Sequence, residues 1–189
     1  MPWDRYAVVD VETTGLSPLA DRVVEIACVL VDGDRVVDRW ATFVSPGIGI
    51  PARATEIHGI TDEMVAGAPP LPCVARELRE RCGSRIVAAH NARFDLSFLR
   101  ELRAAHAICT MLLARSLVPE APNHKNQTLR RVLGIDGVIG EELGAHRALA
   151  DAVVTAHVLI ACRARFHQRH PGQSWQRFLR ANALVLAPL

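Results

Sequence analysis

The sequence predicts an α/β protein built on a mixed sheet with helices on its faces. Two observations carry that expectation. The first 45 residues read as three consecutive strands, and from there on helical and strand-like stretches alternate. A third is composition: 189 residues, half of them hydrophobic, suit one ordinary domain with a substantial core.

The first strand is YAVVDVE (6–12), apolar on both faces as a central strand is. RVVEIACVLVDGDRVVDRWATFV (22–44) reads as two strands joined at Asp32-Gly33, a hairpin turn signal. SPGIGIP (45–51) is a loop, and ATEIHGITDEMVAG (54–67) reads as short helical turns. APPLPC (68–73) is a break before the amphipathic helix VARELRERCG (74–83), with Gly83 at its C-terminal end.

RIVAAH (85–90) is a short buried strand. NARFDLSFLRELRAAH (91–106) reads as one helix, with Phe94, Phe98 and Leu102 four apart. AICTMLLARSL (107–117) passes from strand to helix, which makes five strands in all. NQTLRRVLGI (126–135) is a helix stopping at Gly134. HRALADAVVTAHVLIACRARF (146–166) is the strongest helix, with a stripe of Leu149, Ala152, Val153, Ala156, Leu159 and Ile160 at a period near 3.6. The expected division is a domain over 4–165 and a basic C-terminal appendage over 166–189 that begins near the Pro171-Gly172 break.

Bulk properties exclude several classes. No run approaches the roughly 18–20 apolar residues of a membrane span. The N-terminal MPWDRYAVV lacks the charged-then-apolar order of a secretory signal, so the expectation is a soluble, cytoplasmic protein. Cys28, Cys73, Cys82, Cys109 and Cys162 are scattered, with no C-x-x-C pair, and read as small core or surface residues in a reducing compartment. Residues 152–189 carry Arg163, Arg165, Arg169, Arg177 and Arg180 and no acid, against 17 Lys and Arg and 20 Asp and Glu in the rest. A basic tail on an acidic body points equally to a polyanionic partner and to a solvated helix face.

The chemistry lies in acids that interrupt apolar sequence. Asp10 and Glu12 sit two apart at the end of the first strand, so both project from one face, roughly 6–7 Å apart. Strand ends of α/β sheets are where sites form. Asp95 follows the strand RIVAAH at the start of a helix. Asp151 interrupts small apolar residues near the start of the long helix. Burying unpaired carboxylates is costly, and a cation removes the conflict. Four oxygen donors and no sulfur suit Mg²⁺ or Mn²⁺. His146 is the candidate general base, since its ordinary pKa of about 6.5 lies near working pH. It lies five positions before Asp151, which on a helix turns the two about 140° apart. This places His146 in the loop before the helix.

These residues carry a resemblance. VVDVETTGL, HNARFD and HRALAD, in this order, are similar to the three motifs of the DEDD family of 3′→5′ exonucleases, in its branch with a catalytic histidine. ATEIHGITDEMV resembles that family's H-G-I segment. The likeness covers residues 4–162, with one departure: the third motif often carries two adjacent acids, and here Ala150 precedes Asp151. The resemblance implies a ribonuclease H-like fold with a mixed five-stranded sheet. It implies two divalent cations held by Asp10, Glu12, Asp95 and Asp151, Asp10 bridging both, and His146 as base. It further implies that Thr13, Thr14 and Gly15 hold the terminal 3′-hydroxyl, Leu16 wedges against the last base, His58 and Phe94 contact base or sugar, and Asn91 orients phosphate or an acid.

The function so implied is hydrolysis of phosphodiester bonds from a free 3′ end, releasing nucleoside 5′-monophosphates. DNA is the favoured substrate, short RNA the alternative, and a DNA polymerase a possible partner in proofreading or repair. A non-catalytic nucleic-acid-binding or polymerase accessory protein is the reading from another class; it calls for loss of an acid or of His146, and all five are present. Glu25, within VVEIACVLV, reads as a buried structural acid before a supporting partner of the site, and His90 as structural or supporting.

Overall fold

The computed structural model describes residues 2–138 and 147–185. A short 3-10 turn, Pro2–Asp4, leads into β1 (Arg5–Thr13), β2 (Val23–Asp32) and β3 (Arg35–Phe43). These form an antiparallel meander, because β2 and β3 are joined by the two-residue turn Gly33-Asp34, where Gly33 adopts the left-handed φ of 64° that such a turn requires. After α1 (Ala52–His58), α2 (Asp62–Val65) and α3 (Leu71–Cys82) comes β4 (Ile86–Ala89), which pairs parallel to β1. Then follow α4 (Ala92–Phe98), β5 (His106–Cys109) parallel to β4, α5 (Thr110–Leu117), α6 (Asn126–Val132), α7 (Ala148–Arg169), α8 (Trp175–Asn182) and β6 (Leu184–Val185). The sheet order is β3-β2-β1-β4-β5-β6.

The α/β class and the mixed sheet stand as expected. The sheet has six strands where five were expected, because Leu184 and Val185 add an antiparallel edge to β5, opposite Ala107 and His106. Two residues carry too little pattern to announce a strand. Two helices also differ from expectation. α3 begins at Leu71, inside the stretch read as a break, since Pro72 lies in the first turn, where its missing N–H is not needed. α4 ends at Phe98, and Leu99 and Leu102 then reach the core through a 3-10 turn, where a continuous helix was expected.

The strand alternation divides the core in two. Tyr6, Val8, Ala27 and Val29 face α5, α7 and α8, whereas Ala7, Val9, Val11, Ile26 and Cys28 face α3 and α4. Asp10 and Glu12 continue the Tyr6–Val8 row, so the pleat places them on the α7 side of the sheet, where the apolar filling runs out. α7 crosses that face, burying Ala152, Val153, Ala156 and Leu159 of the expected stripe.

The boundary expected after residue 165 falls inside α7. Beyond it, Trp175 and Leu179 of α8 are buried in the α7-side core, and the Trp175 Nε1 donates to the Tyr6 hydroxyl at 2.9 Å. Tail arginines are engaged within the chain: Arg163 with Asp4 at 3.4 Å, Arg165 and Arg169 with Glu120, and Arg180 over the Trp3 ring. The five cysteines are free thiols, four of them buried and Cys73 exposed. Among the described residues no helix is long and apolar enough to cross a membrane.

Candidate active site

β1, α4 and α7 bring Asp10, Glu12, Asp95 and Asp151 to one end of the sheet. Asp10 lies at the centre of their shared field. Its pKa is driven well above the ordinary carboxylate value, first by burial and then by the negative charges of Asp95, Asp151, Glu12 and Glu25. Burial is also the leading cause at Glu12, followed by Asp151 and Glu25, and raises its pKa to about 8 despite the opposing charge of Arg147. Asp95, only 3% exposed, is pushed to about 8 by burial, with Asp151 adding to the rise. Its Oδ2 is buried with no hydrogen-bond partner. A fold that assembles acids which cannot all ionise together has built a site that calls for positive charge.

The donor chemistry fits hard divalent cations: four carboxylates, one of them with a buried unpartnered oxygen. Among the described residues no three His, Cys, Asp or Glu side chains form a preassembled cation cage.

Asp151 is braced from α6. Gln127 Nε2 donates to its Oδ1 at 3.2 Å, and Asn126 Nδ2 donates to its carbonyl at 3.2 Å and to the Thr155 hydroxyl at 3.0 Å. Glu25 is 4% exposed and receives both arms of the Arg147 guanidinium, at 2.7 and 3.1 Å, together with the Ala148 N–H at 3.0 Å. Arg147 and Gln127 escaped the sequence reading. Only the position of Arg147, directly before the Asp151 helix, offered a signal there.

The loop after β1 is tied by side chains. Thr13 Oγ1 donates to the Gly15 carbonyl at 2.6 Å, Thr14 accepts the Arg22 N–H at 2.9 Å, and Asp21 accepts the Ser17 N–H at 2.8 Å. Gly15 sits close against Asp21: a Cβ there would meet the Asp21 carboxyl atoms at 2.5 Å, so one of the two would have to shift. This leaves Leu16 83% exposed at the rim. His58 is buried against the Thr13 backbone. Its Nδ1 accepts the Ile60 N–H at 3.0 Å, its Nε2 has no well-formed hydrogen bond, and burial lowers its pKa. Phe94 is half-buried, with its ring centroid 5.2 Å from that of Phe98. Asn91 is exposed in the left-handed region, with φ 59°, at the β4–α4 turn. His90, one residue before it, is a structural link: Nε2 bonds the His124 carbonyl at 2.8 Å, Nδ1 meets the Thr110 hydroxyl at 2.9 Å, and burial lowers its pKa to about 4. His146 lies outside the described residues.

A mixed sheet with its first strand ending in two acids, joined there by acids from two later helices, defines the nuclease class that the three motifs resemble. Comparison with known proteins agrees. The RNase T family model, an exonuclease family, matches residues 7–159. The chain is 39% identical over 166 residues to the PolC-type DNA polymerase III of Bacillus subtilis, and 37% identical over 164 residues to that of Oceanobacillus iheyensis. These matches cover 83% and 82% of the chain but 11% of each polymerase, so the chain spans about a tenth of the length of these relatives. Among solved structures, Exonuclease X in complex with 5′-overhanging duplex DNA superposes with a TM-score of 0.78 at 32% identity, over 94% of this chain and 99% of that one. The nuclease domain of 3′hExo, a DEDDh family member bound to rAMP, shares the fold, with a TM-score of 0.71 at 16% identity over 98% of each chain. The chain belongs to the RNase T family of exonucleases.

Proposed function

We propose that the chain is a divalent-metal-dependent 3′→5′ exonuclease that removes nucleoside 5′-monophosphates from DNA ends, serving proofreading or repair beside a DNA polymerase. The observation that carries this is the convergence of Asp10, Glu12, Asp95 and Asp151, where Asp151 adds to the raised pKa of the other three and Asp95 and Glu12 add to that of Asp10. On this reading those four side chains hold two cations, Mg²⁺ or Mn²⁺. When bound, such a pair stabilises the charge on the attacking and leaving oxygens of a phosphodiester.

The protein's own groups do the rest. The tied loop Thr13-Thr14-Gly15 offers backbone groups to the terminal 3′-hydroxyl, and exposed Leu16 packs on the last base. Buried His58 and half-buried Phe94 line the nucleotide from the side, and Asn91 contacts phosphate. A ring nitrogen of His146, assigned from its place in the third motif, takes the proton of the attacking water. The DNA preference is supported by the likeness to Exonuclease X, and the polymerase setting by the likeness to a segment of the PolC-type enzymes.

The test is digestion of 5′-labelled single-stranded DNA, duplex DNA with a matched or mismatched 3′ end, and short RNA, with Mg²⁺ or Mn²⁺ and with EDTA. Stepwise shortening from the 3′ end that EDTA and Asp10→Ala both abolish is the expected result. Activity surviving both treatments overturns the mechanism, and a preference for RNA overturns the substrate.

A further inference from the structure

We propose that Glu25 and Arg147 form a clamp that positions the first turn of α7, and with it Asp151, for cation binding; this rests on the reading of Asp151 as a ligand. The clamp begins in the sheet. Glu12, Glu25 and Phe43 stand in one row across β1, β2 and β3, paired in register. Arg147 spans this row. Its guanidinium forks onto Glu25 and lies 5.3 Å from the centroid of the Phe43 ring. A planar fork matched to a carboxylate, with an aromatic face beneath it, fixes an arginine in both direction and tilt.

Arg147 occupies the N-cap of α7, where no side chain caps the helix locally. The orphan Ala148 N–H is instead satisfied by Glu25, at 3.0 Å, from the neighbouring strand. A carboxylate at this end also complements the helix dipole. The Asp151 N–H donates to the Arg147 carbonyl at 3.1 Å, so the residue gripped by Glu25 is the residue on which the turn carrying Asp151 closes. Glu25 thereby sets where α7 starts relative to the strand that carries Asp10 and Glu12. It is a positioning residue and not a further ligand, because both its oxygens are committed to Arg147 and Ala148.

The test uses the whole chain and three readouts: Mn²⁺ affinity by calorimetric titration, kcat and KM on a 3′-ended DNA oligonucleotide, and stability by urea unfolding. Glu25→Gln and Arg147→Lys are each expected to weaken Mn²⁺ binding by about tenfold, as loss of a partner supporting a ligand does. Each should lower kcat by about tenfold or more and leave KM within about twofold. The double variant should be no worse than the weaker single one, since the two side chains act as a unit. Wild-type Mn²⁺ affinity in either folded variant, or losses that add in the double variant, overturns the clamp. Should Glu25→Gln fail to fold, the half-exposed Arg147→Lys decides alone. Asp151→Asn separates the two ideas: if it lowers Mn²⁺ affinity while the clamp variants do not, only the clamp falls. If Asp151→Asn binds Mn²⁺ like the wild type, the ligand reading falls.

Discussion

Glu12 and Glu25 face each other directly across the β1–β2 pairing, two acids at one rung of an antiparallel ladder. Like charges so placed oppose sheet formation. The conflict is resolved unequally: Glu25 is paired with the Arg147 fork, while Glu12 stays among Asp10, Asp95 and Asp151 with its pKa raised to about 8. One acid of the rung thus serves the fold, and its neighbour stays available to the site.

The raised acids predict how the chelated protein responds to pH. Glu12 and Asp95 move from ordinary values of 4.5 and 3.8 to about 8 in the fold. A group whose folded pKa is raised stabilises the fold below its unfolded pKa and loses that contribution as pH rises through the folded value. With EDTA present, the melting temperature should therefore fall between about pH 5 and pH 8. Excess Mg²⁺ should restore it at pH 8 and have little effect at pH 5, where protons occupy the carboxylates. Differential scanning calorimetry at the two pH values checks this; a flat profile in EDTA would mean that the four acids do not share a field.

Gln127→Ala removes the donor that holds Asp151 Oδ1 at 3.2 Å. Such a loss in support of a ligand costs about 10–100-fold in activity or metal affinity. Gln127 is partly exposed and fills no core position, so the unfolding free energy should change by less than about 1 kcal/mol, the net worth of one hydrogen bond. Kinetics with a Mn²⁺ titration, beside urea unfolding, distinguish this from a general loss of fold.

Gly15→Ala places a methyl group 2.5 Å from the Asp21 carboxyl atoms. Either Asp21 loosens its bond to the Ser17 N–H or the loop from Thr13 to Leu16 shifts. The expected cost is about 1–3 kcal/mol, the usual price of overpacking. It should be accompanied by a higher KM for the 3′-terminal nucleotide, with Mn²⁺ affinity retained. Unchanged KM would mean that this loop does not touch the substrate.

Trp175→Ala tests whether the C-terminal segment folds with the body. Trp175 is 1% exposed, packs on Phe166 and Phe178, and donates to the Tyr6 hydroxyl. Its removal should destabilise the whole chain by about 3–5 kcal/mol, in one cooperative transition. An early, separate melting of residues 170–185, seen by hydrogen exchange, would instead mark that segment as independent.

The sequence by itself determined the α/β class, the three leading strands, the long α7 and the four acids. Each of these is written in local pattern: alternation along a strand, a 3.6-residue stripe, or a charge interrupting apolar sequence. Tertiary structure alone decided the rest. Whether Glu25 was structural or supporting could not be read, because the β1–β2 register that sets it opposite Glu12 depends on how the chain between residues 14 and 22 folds, and Arg147 lies 122 residues away. Gln127 looks like an ordinary first-turn residue of a short helix until α6 packs against α7. The sixth strand was invisible because two residues have no periodicity; Leu184 and Val185 are strand only because the β5 edge receives them. Local sequence encodes which face of an element is apolar, whereas the pairing of distant polar groups exists only once those faces have packed.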